Sequence, residues 1–192
     1  MTSAASPSDL PAPRVLLLPG WQGSGPGHWQ SLWERRHGDF RVEQDDWEWP
    51  RRGDWMARLE ETLLGLPEGT RALLVAHSLG CHLVAAWADH SAHTGRVAAA
   101  LLVAPPDVRR GDLPPQLAPW RTVPCPRLPF PSHVVYSTDD PYCDSARACQ
   151  TAEAWGSEAT ALGPRGHLNG DSGLGEWAEG RTLLQALAAR AR

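Results

Sequence analysis

The sequence predicts an α/β fold, a three-layer α/β/α sandwich around a mostly parallel sheet of about six strands. Short apolar runs alternate along the chain with amphipathic stretches, and this pattern is typical of a parallel sheet with helices on both faces. The 192 residues are 42% hydrophobic and 21% charged, which fits one globular domain with a full core. No apolar run reaches the roughly 20 residues that a membrane-spanning helix needs.

The first strand is predicted at residues 14–19, an apolar run that ends at Pro-Gly and suits a strand buried on both faces. A glycine-rich loop, residues 20–27, follows this strand. Residues 28–37 then carry an apolar stripe at helical spacing, and Gly38 is a typical stop signal. These residues form the first strand, loop and helix.

Two further units follow the same order. Residues 40–43 predict a short strand, and Asp54 is expected to cap a helix that has one apolar face and ends before Pro67. Residues 71–76 are the clearest buried strand, and a helix over residues 81–90 comes almost directly after it.

The second half of the chain continues the alternation. Strands are predicted at residues 97–103, 132–137 and, more weakly, 157–162. Helices are predicted at residues 143–155 and 174–190. The six predicted strands alternate with five predicted helices, so the sequence favours a parallel sheet.

Charge and composition exclude several functions. The net charge of −4 lacks the basic excess that binding to nucleic acid or to an anionic membrane requires. Residues 1–13 hold neither a basic residue nor an apolar core, so they predict a disordered leader and not a signal peptide. We therefore expect one domain over residues 14–192 and a cytoplasmic location. The four cysteines form no Cys-x-x-Cys pair, which indicates free thiols and no zinc site.

A candidate nucleophile lies at the end of the clearest strand. Residues 76–80 read Ala-His-Ser-Leu-Gly and open a helix, which is the context in which small-x-Ser-x-Gly forms a sharp strand-to-helix turn. Such a turn strains Ser78, requires small residues on both sides, and presents the hydroxyl at the carboxyl edge of the sheet. The alternative is that Ser78 is only a helix N-cap.

A serine nucleophile needs a base and a carboxylate at the same sheet edge. Asp140 follows the fifth strand and His167 follows the sixth, which gives the chain order Ser, Asp, His that α/β-hydrolases use. Asp139 is the rival acid, and Asp107 is a weaker one. Asp140 is favoured because a residue before proline is held in extended geometry.

The other histidines have structural interpretations. His77 adjoins the candidate nucleophile, but side chains on either side of such a turn point apart, so we interpret it as packing or as pocket lining. His28 is among the histidines on or beside predicted helices and strands, and these are expected to be surface or core residues.

An oxyanion hole requires two N–H donors. Leu79 N–H, at the helix start, and Trp21 N–H, in the loop after the first strand, are the candidates. A phosphate-binding loop is the alternative for residues 20–27. It is disfavoured because the chain has no lysine and no Gly-Lys-Ser/Thr sequence.

Four segments together resemble the small serine hydrolases of the YdeN and retinoblastoma-binding protein nine type, within the α/β-hydrolase superfamily. The segments read Pro-Gly-Trp-Gln-Gly-Ser with the following His-Trp-Gln, Val-Ala-His-Ser-Leu-Gly, Ser-Thr-Asp-Asp-Pro-Tyr-Cys and Gly-His-Leu-Asn-Gly. The resemblance spans nearly the whole chain and implies Ser78 as nucleophile, Asp140 as acid and His167 as base. The first loop has Pro-Gly where many hydrolases have His-Gly.

In this fold a cap domain usually follows the strand after the nucleophile helix, and here residues 104–131, with nine prolines, occupy that place. We therefore expect no large cap, an open and shallow site, and small or exposed acyl substrates. Three tryptophans fall in segments expected to rim the site, namely Trp21, Trp29 and Trp120, but most tryptophans are expected to pack in the core or on helices, since Trp29, Trp33 and Trp55 lie at helical spacing. Substrate contact or an exposed patch is predicted for Trp47 and Trp49.

The predicted activity is hydrolysis of a small ester, amide or thioester through an acyl-enzyme, with no cofactor and with the protein as a monomer or small homo-oligomer. The alternative from another class is a weakly active or non-catalytic module that binds partner proteins. An acyltransferase or an aminopeptidase-like hydrolase would share the same site.

Overall fold

A single parallel sheet organises the computed structural model, which describes residues 11–123 and 126–191. Within these ranges the sheet has six strands in the order β2-β1-β3-β4-β5-β6, and every neighbouring pair is parallel. The strands are β1 (Arg14–Leu18), β2 (Phe40–Arg41), β3 (Ala72–His77), β4 (Val97–Val103), β5 (Ser132–Tyr136) and β6 (Glu158–Ala161). The predicted fold class is confirmed. Most of the predicted leader, residues 1–10, lies outside the described residues.

Helices cover both faces of the sheet because alternate strand residues point to opposite sides. On β3, Leu74 packs in one apolar cluster together with residues of three helices, α2 (Arg52–Leu64), α3 (Leu79–His90) and α4 (Ser145–Trp155). The next residue, Val75, packs in a second cluster with residues of α1 (Trp29–His37) and α5 (Ala178–Arg190). No helix in the described part of the chain is long and apolar enough to cross a bilayer.

Some predicted element ends are wrong. Helix α2 begins before Asp54, with Arg51 at the N-cap, so Asp54 lies in the first helical turn and does not cap it. A carboxylate there still faces the positive end of the helix dipole. Helix α5 starts at Ala178 and not at residue 174, because Trp177 adopts a left-handed conformation with φ 40° that interrupts the chain before it.

The proline-rich segment, residues 104–131, contains a 3-10 helix (Pro115–Trp120) that packs onto the core beside α2. Trp120 is fully buried there, and its indole N–H donates to the Pro50 carbonyl at 2.7 Å. Residues 124–125 of the segment lie outside the described ranges. The described part of the segment is therefore an ordered wall over the carboxyl edge of the sheet.

Candidate active site

The turn between β3 and α3 holds Ser78 in a strained conformation, with φ 54° and ψ −124°. Its N–H donates to the Val103 carbonyl at 2.9 Å, which ties the turn to the neighbouring strand. Gly80 must be glycine because an added Cβ would lie 2.3 Å from the Leu18 carbonyl oxygen. These observations agree with the predicted strain and with the predicted need for a small residue at position 80.

Three side chains form a hydrogen-bonded chain at the carboxyl edge of the sheet. The Ser78 hydroxyl lies 2.8 Å from His167 Nε2 and makes no side-chain cap of α3. His167 Nδ1 lies 2.8 and 3.0 Å from the two carboxylate oxygens of Asp140. Both partners are buried, with 9% of the His167 side chain and 2% of the Asp140 side chain exposed. The structure thus brings together the serine, histidine and aspartate that the sequence singled out.

The rival carboxylates have other partners. Asp139 accepts hydrogen bonds from the Ser137 hydroxyl at 2.6 Å and from the Gly166 N–H at 2.7 Å. The Ser137 hydrogen bond lowers the pKa of Asp139 below its usual range. Ser137 also accepts from the Arg165 N–H at 2.8 Å, so this network joins the loop after β5 to the loop that carries His167. Asp107 pairs instead with Arg147.

His77 has a contact that the sequence did not indicate. Its Nε2 lies 2.9 Å from the backbone carbonyl oxygen of His167, so Nε2 carries the proton and donates it. Burial holds the pKa of His77 well below its usual value, so the imidazole is neutral at pH 7. His77 lines the cavity, as the sequence predicts. The sequence does not predict its hydrogen bond to the backbone of His167, the candidate base.

His28 lies behind His77. Its Nδ1 accepts the Gln30 N–H at 3.1 Å and so caps helix α1, while its ring packs edge-on against His77 with centroids 4.7 Å apart. Burial lowers its pKa to about 4. The sequence placed His28 among the surface or core histidines, and the structure shows that it is buried and also lines the site cavity.

The two residues that the sequence offers as oxyanion donors are both found at the cavity. Trp21 and Leu79 both line the cavity beside Ser78. Neither N–H has a hydrogen-bond partner among residues 11–123 and 126–191. Their loops approach closely, since a Cβ added at Gly20 would lie 2.7 Å from Ser78 Cβ. A glycine at position 20 therefore lets the first loop reach the nucleophile turn.

A second loop fixes the conformation of the first. Gln22, with φ 65°, donates its N–H to the Trp47 carbonyl at 3.1 Å, and the Trp21 indole N–H donates to the Glu48 carbonyl at 2.9 Å. The Trp47 ring lies against Gly23. These contacts fix the loop that carries the Trp21 N–H to the loop of residues 47 and 48.

The hydrogen-bonded side chains open into a cavity of about 640 Å³, a size typical of small-molecule sites. Five residues of the proline-rich segment form an apolar wall, namely Pro106, Val108, Leu113, Pro114 and Leu117. This short segment thus contributes lining to the cavity without a cap domain, and the expectation of an open, shallow site stays a prediction.

The tryptophans are only partly where the sequence suggested. Trp21 lines the cavity, whereas Trp29 and Trp120 are buried in the core and do not rim it. Trp47 packs edge-on against Trp55 and Trp49 is 57% exposed, and neither lines the cavity. Tryptophan content alone could not separate these cases, since the same residue type serves core, loop and surface.

A fold of this topology with a serine on a strained turn after β3 defines an α/β-hydrolase. The chain belongs to the serine hydrolase family, whose family model matches residues 15–186. A search of curated proteins finds no match.

Solved structures agree with this assignment. A protein described as a YdeN-like hydrolase from Pectobacterium atrosepticum is 27% identical, with a TM-score of 0.81 over 93% of this chain and 91% of that chain. The ydeN gene product from B. subtilis is 20% identical, with a TM-score of 0.72 over 92% and 99%. An esterase domain from Rhodothermus marinus is 17% identical, with a TM-score of 0.68 over 95% and 89%. The last two show a shared fold.

Proposed function

We propose that this protein is a serine hydrolase that cleaves small ester substrates through an acyl-enzyme, with Ser78 as nucleophile, His167 as base and Asp140 as the acid that orients the base. The observation that carries the proposal is the unbroken hydrogen-bonded chain from Ser78 through His167 to Asp140, which faces a cavity. The esterase domain from Rhodothermus marinus adds support through its similar fold.

In the acylation step, Ser78 Oγ attacks the substrate carbonyl carbon while His167 Nε2 takes the hydroxyl proton. The N–H groups of Trp21 and Leu79 stabilise the oxyanion that forms. The C–O bond to the leaving alcohol then breaks, and His167 gives its proton to that alcohol. Asp140 stabilises the imidazolium that exists between these two proton transfers.

In the deacylation step, a water molecule loses a proton to His167 Nε2 and attacks the acyl carbonyl. The bond to Ser78 Oγ breaks, the acid leaves, and the proton returns to the serine. The same groups would act on an amide or thioester, so the ester preference rests on the similarity to the esterase domain.

The direct test is the intact mass of the protein after incubation with a fluorophosphonate. An activated serine displaces fluoride and keeps the phosphonyl group, so we expect one adduct on the wild type and none on Ser78→Ala or His167→Ala. Ser145→Ala is the matched control, because Ser145 begins α4 and lies outside the cavity lining. A folded wild type without an adduct would favour the alternative of a partner-binding module.

The remaining sequence-based expectations stay predictions. They are one domain over residues 14–192, a cytoplasmic location, and a monomer or small homo-oligomer.

A further inference from the structure

The charged side chains that line the site cavity are of one sign. Among the described residues that line the site cavity, Asp171 is the one carboxylate and no arginine is present. Asp171 is exposed and forms no ion pair with any residue of the described ranges. His28 and His77 also line the cavity, and burial keeps both neutral. The fixed charge that a substrate meets there is therefore negative.

A second cavity of about 460 Å³ adjoins the first. The two cavities share four lining residues, which are Tyr142, His167, Asn169 and Asp171. We call these four residues the junction. The Tyr142 ring packs edge-on against the His167 imidazole, with centroids 4.6 Å apart, and the side chain is 47% exposed. The junction thus offers an accessible aromatic ring that packs against the candidate base, and a carboxylate that lines the same two cavities.

The chemistry of the proposed function decides which part of a substrate reaches the junction. His167 must give its proton to the leaving alcohol, so the alcohol lies on the His167 side of the reacting carbon. The acyl group points away from His167, and the apolar wall formed by Val108, Leu113 and Leu117 is available for it. The junction is consequently next to the alcohol.

We propose that this site selects esters whose alcohol carries an ammonium group on a short linker, with the ammonium bound by the Asp171 carboxylate and the Tyr142 ring. This inference rests on the proposed function and specifies its substrate class. A carboxylate beside an aromatic face is a suitable pairing for an alkylammonium ion, since the ring quadrupole and the negative charge attract the same cation.

The nearby arginines limit the length of the linker. Arg165 lines the second cavity but not the first, so a cation that extends past the junction approaches a like charge. Arg110 contacts the Pro141 carbonyl but is paired with Asp112, and it lines neither cavity. We therefore expect a short linker to keep the ammonium at the junction and a longer linker to bring it toward Arg165.

The test compares acetylcholine with its neutral isostere, 3,3-dimethylbutyl acetate, by titrating the acetic acid released. We expect a kcat/KM ratio of about fivefold in favour of the ammonium ester, the size of an exposed ion pair combined with a cation–π contact. The ratio should fall in Asp171→Asn and in Tyr142→Leu, and it should reach about one when both residues are replaced. It should shrink in high salt, because salt screens exposed charges.

Asp89→Asn is the matched control. It removes the same charge from the C-terminal part of α3, outside both cavities, and should leave the ratio unchanged. If the kcat/KM ratio of the two acetates fell equally in Asp89→Asn, the net charge of the protein and not Asp171 would set the preference for the ammonium ester. A second pair of substrates places the ammonium on the acyl side, namely the ethyl esters of trimethylglycine and of 3,3-dimethylbutanoic acid. A preference confined to that pair would overturn the placement at the alcohol.

Labelling separates this inference from the proposed function. If the fluorophosphonate labels Ser78 and the two acetates react equally, the ammonium site is wrong and the hydrolase stands. If labelling occurs and neither acetate reacts, choline and 3,3-dimethylbutanol are compared as inhibitors of labelling, and equal inhibition overturns the ammonium site. If no labelling occurs, the proposed hydrolase function is wrong, and the ammonium site, which rests on it, is wrong as well.

Discussion

Two regions surround the cavity and are held by different forces. The strand-end loops, which carry Ser78, Asp140 and His167, are fixed by hydrogen bonds between loops, such as those of Asp139 with Ser137 and Gly166. The described part of the proline-rich segment, residues 104–123 and 126–131, which we call the wall, adds to its hydrogen bonds an extensive apolar packing of residues such as Leu117 and Trp120 against the core.

The difference suggests a division of roles. Hydrogen bonds are directional and fix atoms to within tenths of an ångström, which proton transfer requires. Apolar packing sets volume and shape but tolerates substitution by residues of similar size. We infer that changes in the strand-end loops affect the rate of the chemistry, whereas changes in the wall affect which acyl group is accepted.

The largest expected effect comes from Asp140→Asn. An amide can hold the imidazole in the wrong tautomer and cannot stabilise its charged form, so kcat should fall about 10³- to 10⁴-fold, as in other serine triads. The neighbouring Asp139→Asn is the matched control, since it has no contact with the imidazole and should lower kcat about tenfold or less, by loosening the His167 loop. Initial rates on p-nitrophenyl acetate measure both. Equal losses would contradict the assignment of Asp140.

The second expected effect is a loss of folding stability at acidic pH, and it involves one buried histidine beside each of the two regions. His28 lies behind the strand-end loops, and His82 on α3 pairs its Nε2 with the carbonyl of Pro106 in the wall at 2.7 Å. Burial lowers the pKa of each to about 4. The unfolded chain therefore binds more protons between about pH 6.5 and pH 4, so stability falls as the pH falls through that window, by at most about 3 kcal/mol for each histidine.

Urea unfolding at pH 7.5 and pH 5.0 measures this loss. His82→Gln should lose less stability on acidification than the wild type, because it removes one of the buried titrating groups. His37→Gln, at the exposed end of α1, is the control and should behave as the wild type does. A His82→Gln protein with the full wild-type pH dependence would show that His82 is not the group responsible.

The parts of the fold that are predicted correctly, and the placement of the candidate site residues at one sheet edge, have local causes. The run of residues 72–76 is apolar throughout because parallel strands are covered on both faces, so β3 was evident from composition alone. Ser78 and His167 were evident because each follows a strand, and all strands of a parallel sheet end at the same edge.

The parts that were missed depend on contacts distant in sequence. His77 and the carbonyl of His167 are 90 residues apart, and nothing near either residue indicates their hydrogen bond. The apolar wall of the cavity depends on how the described residues of the segment, 104–123 and 126–131, fold back over the sheet, and proline-rich sequences have no periodicity that shows this. The start of α5 depends on the left-handed conformation of Trp177, which its residue type does not favour.

A smaller effect than that of Asp140→Asn is expected at His77, the last residue of β3, which contacts one of the strand-end loops. His77→Leu removes the donor to the His167 carbonyl and leaves that carbonyl buried without its partner, so the imidazole loses part of its alignment. We expect kcat to fall about tenfold with little change in KM. His77→Gln can place an amide N–H near the same position and should recover part of the loss. Equal rates for both variants would indicate a packing role.

The smallest expected effect lies in the wall. Leu113 is half-buried and lines the cavity, so Leu113→Ala lengthens the space for an acyl chain without removing a fully buried side chain. The kcat/KM ratio of p-nitrophenyl hexanoate to acetate should rise about threefold, near the value of one buried methylene. Leu64→Ala is the control, because Leu64 is exposed at the end of α2 and outside the cavity. If Leu113→Ala instead lowered kcat for both esters and left their ratio unchanged, the wall would take part in aligning the catalytic groups, and the division between the two regions would not hold.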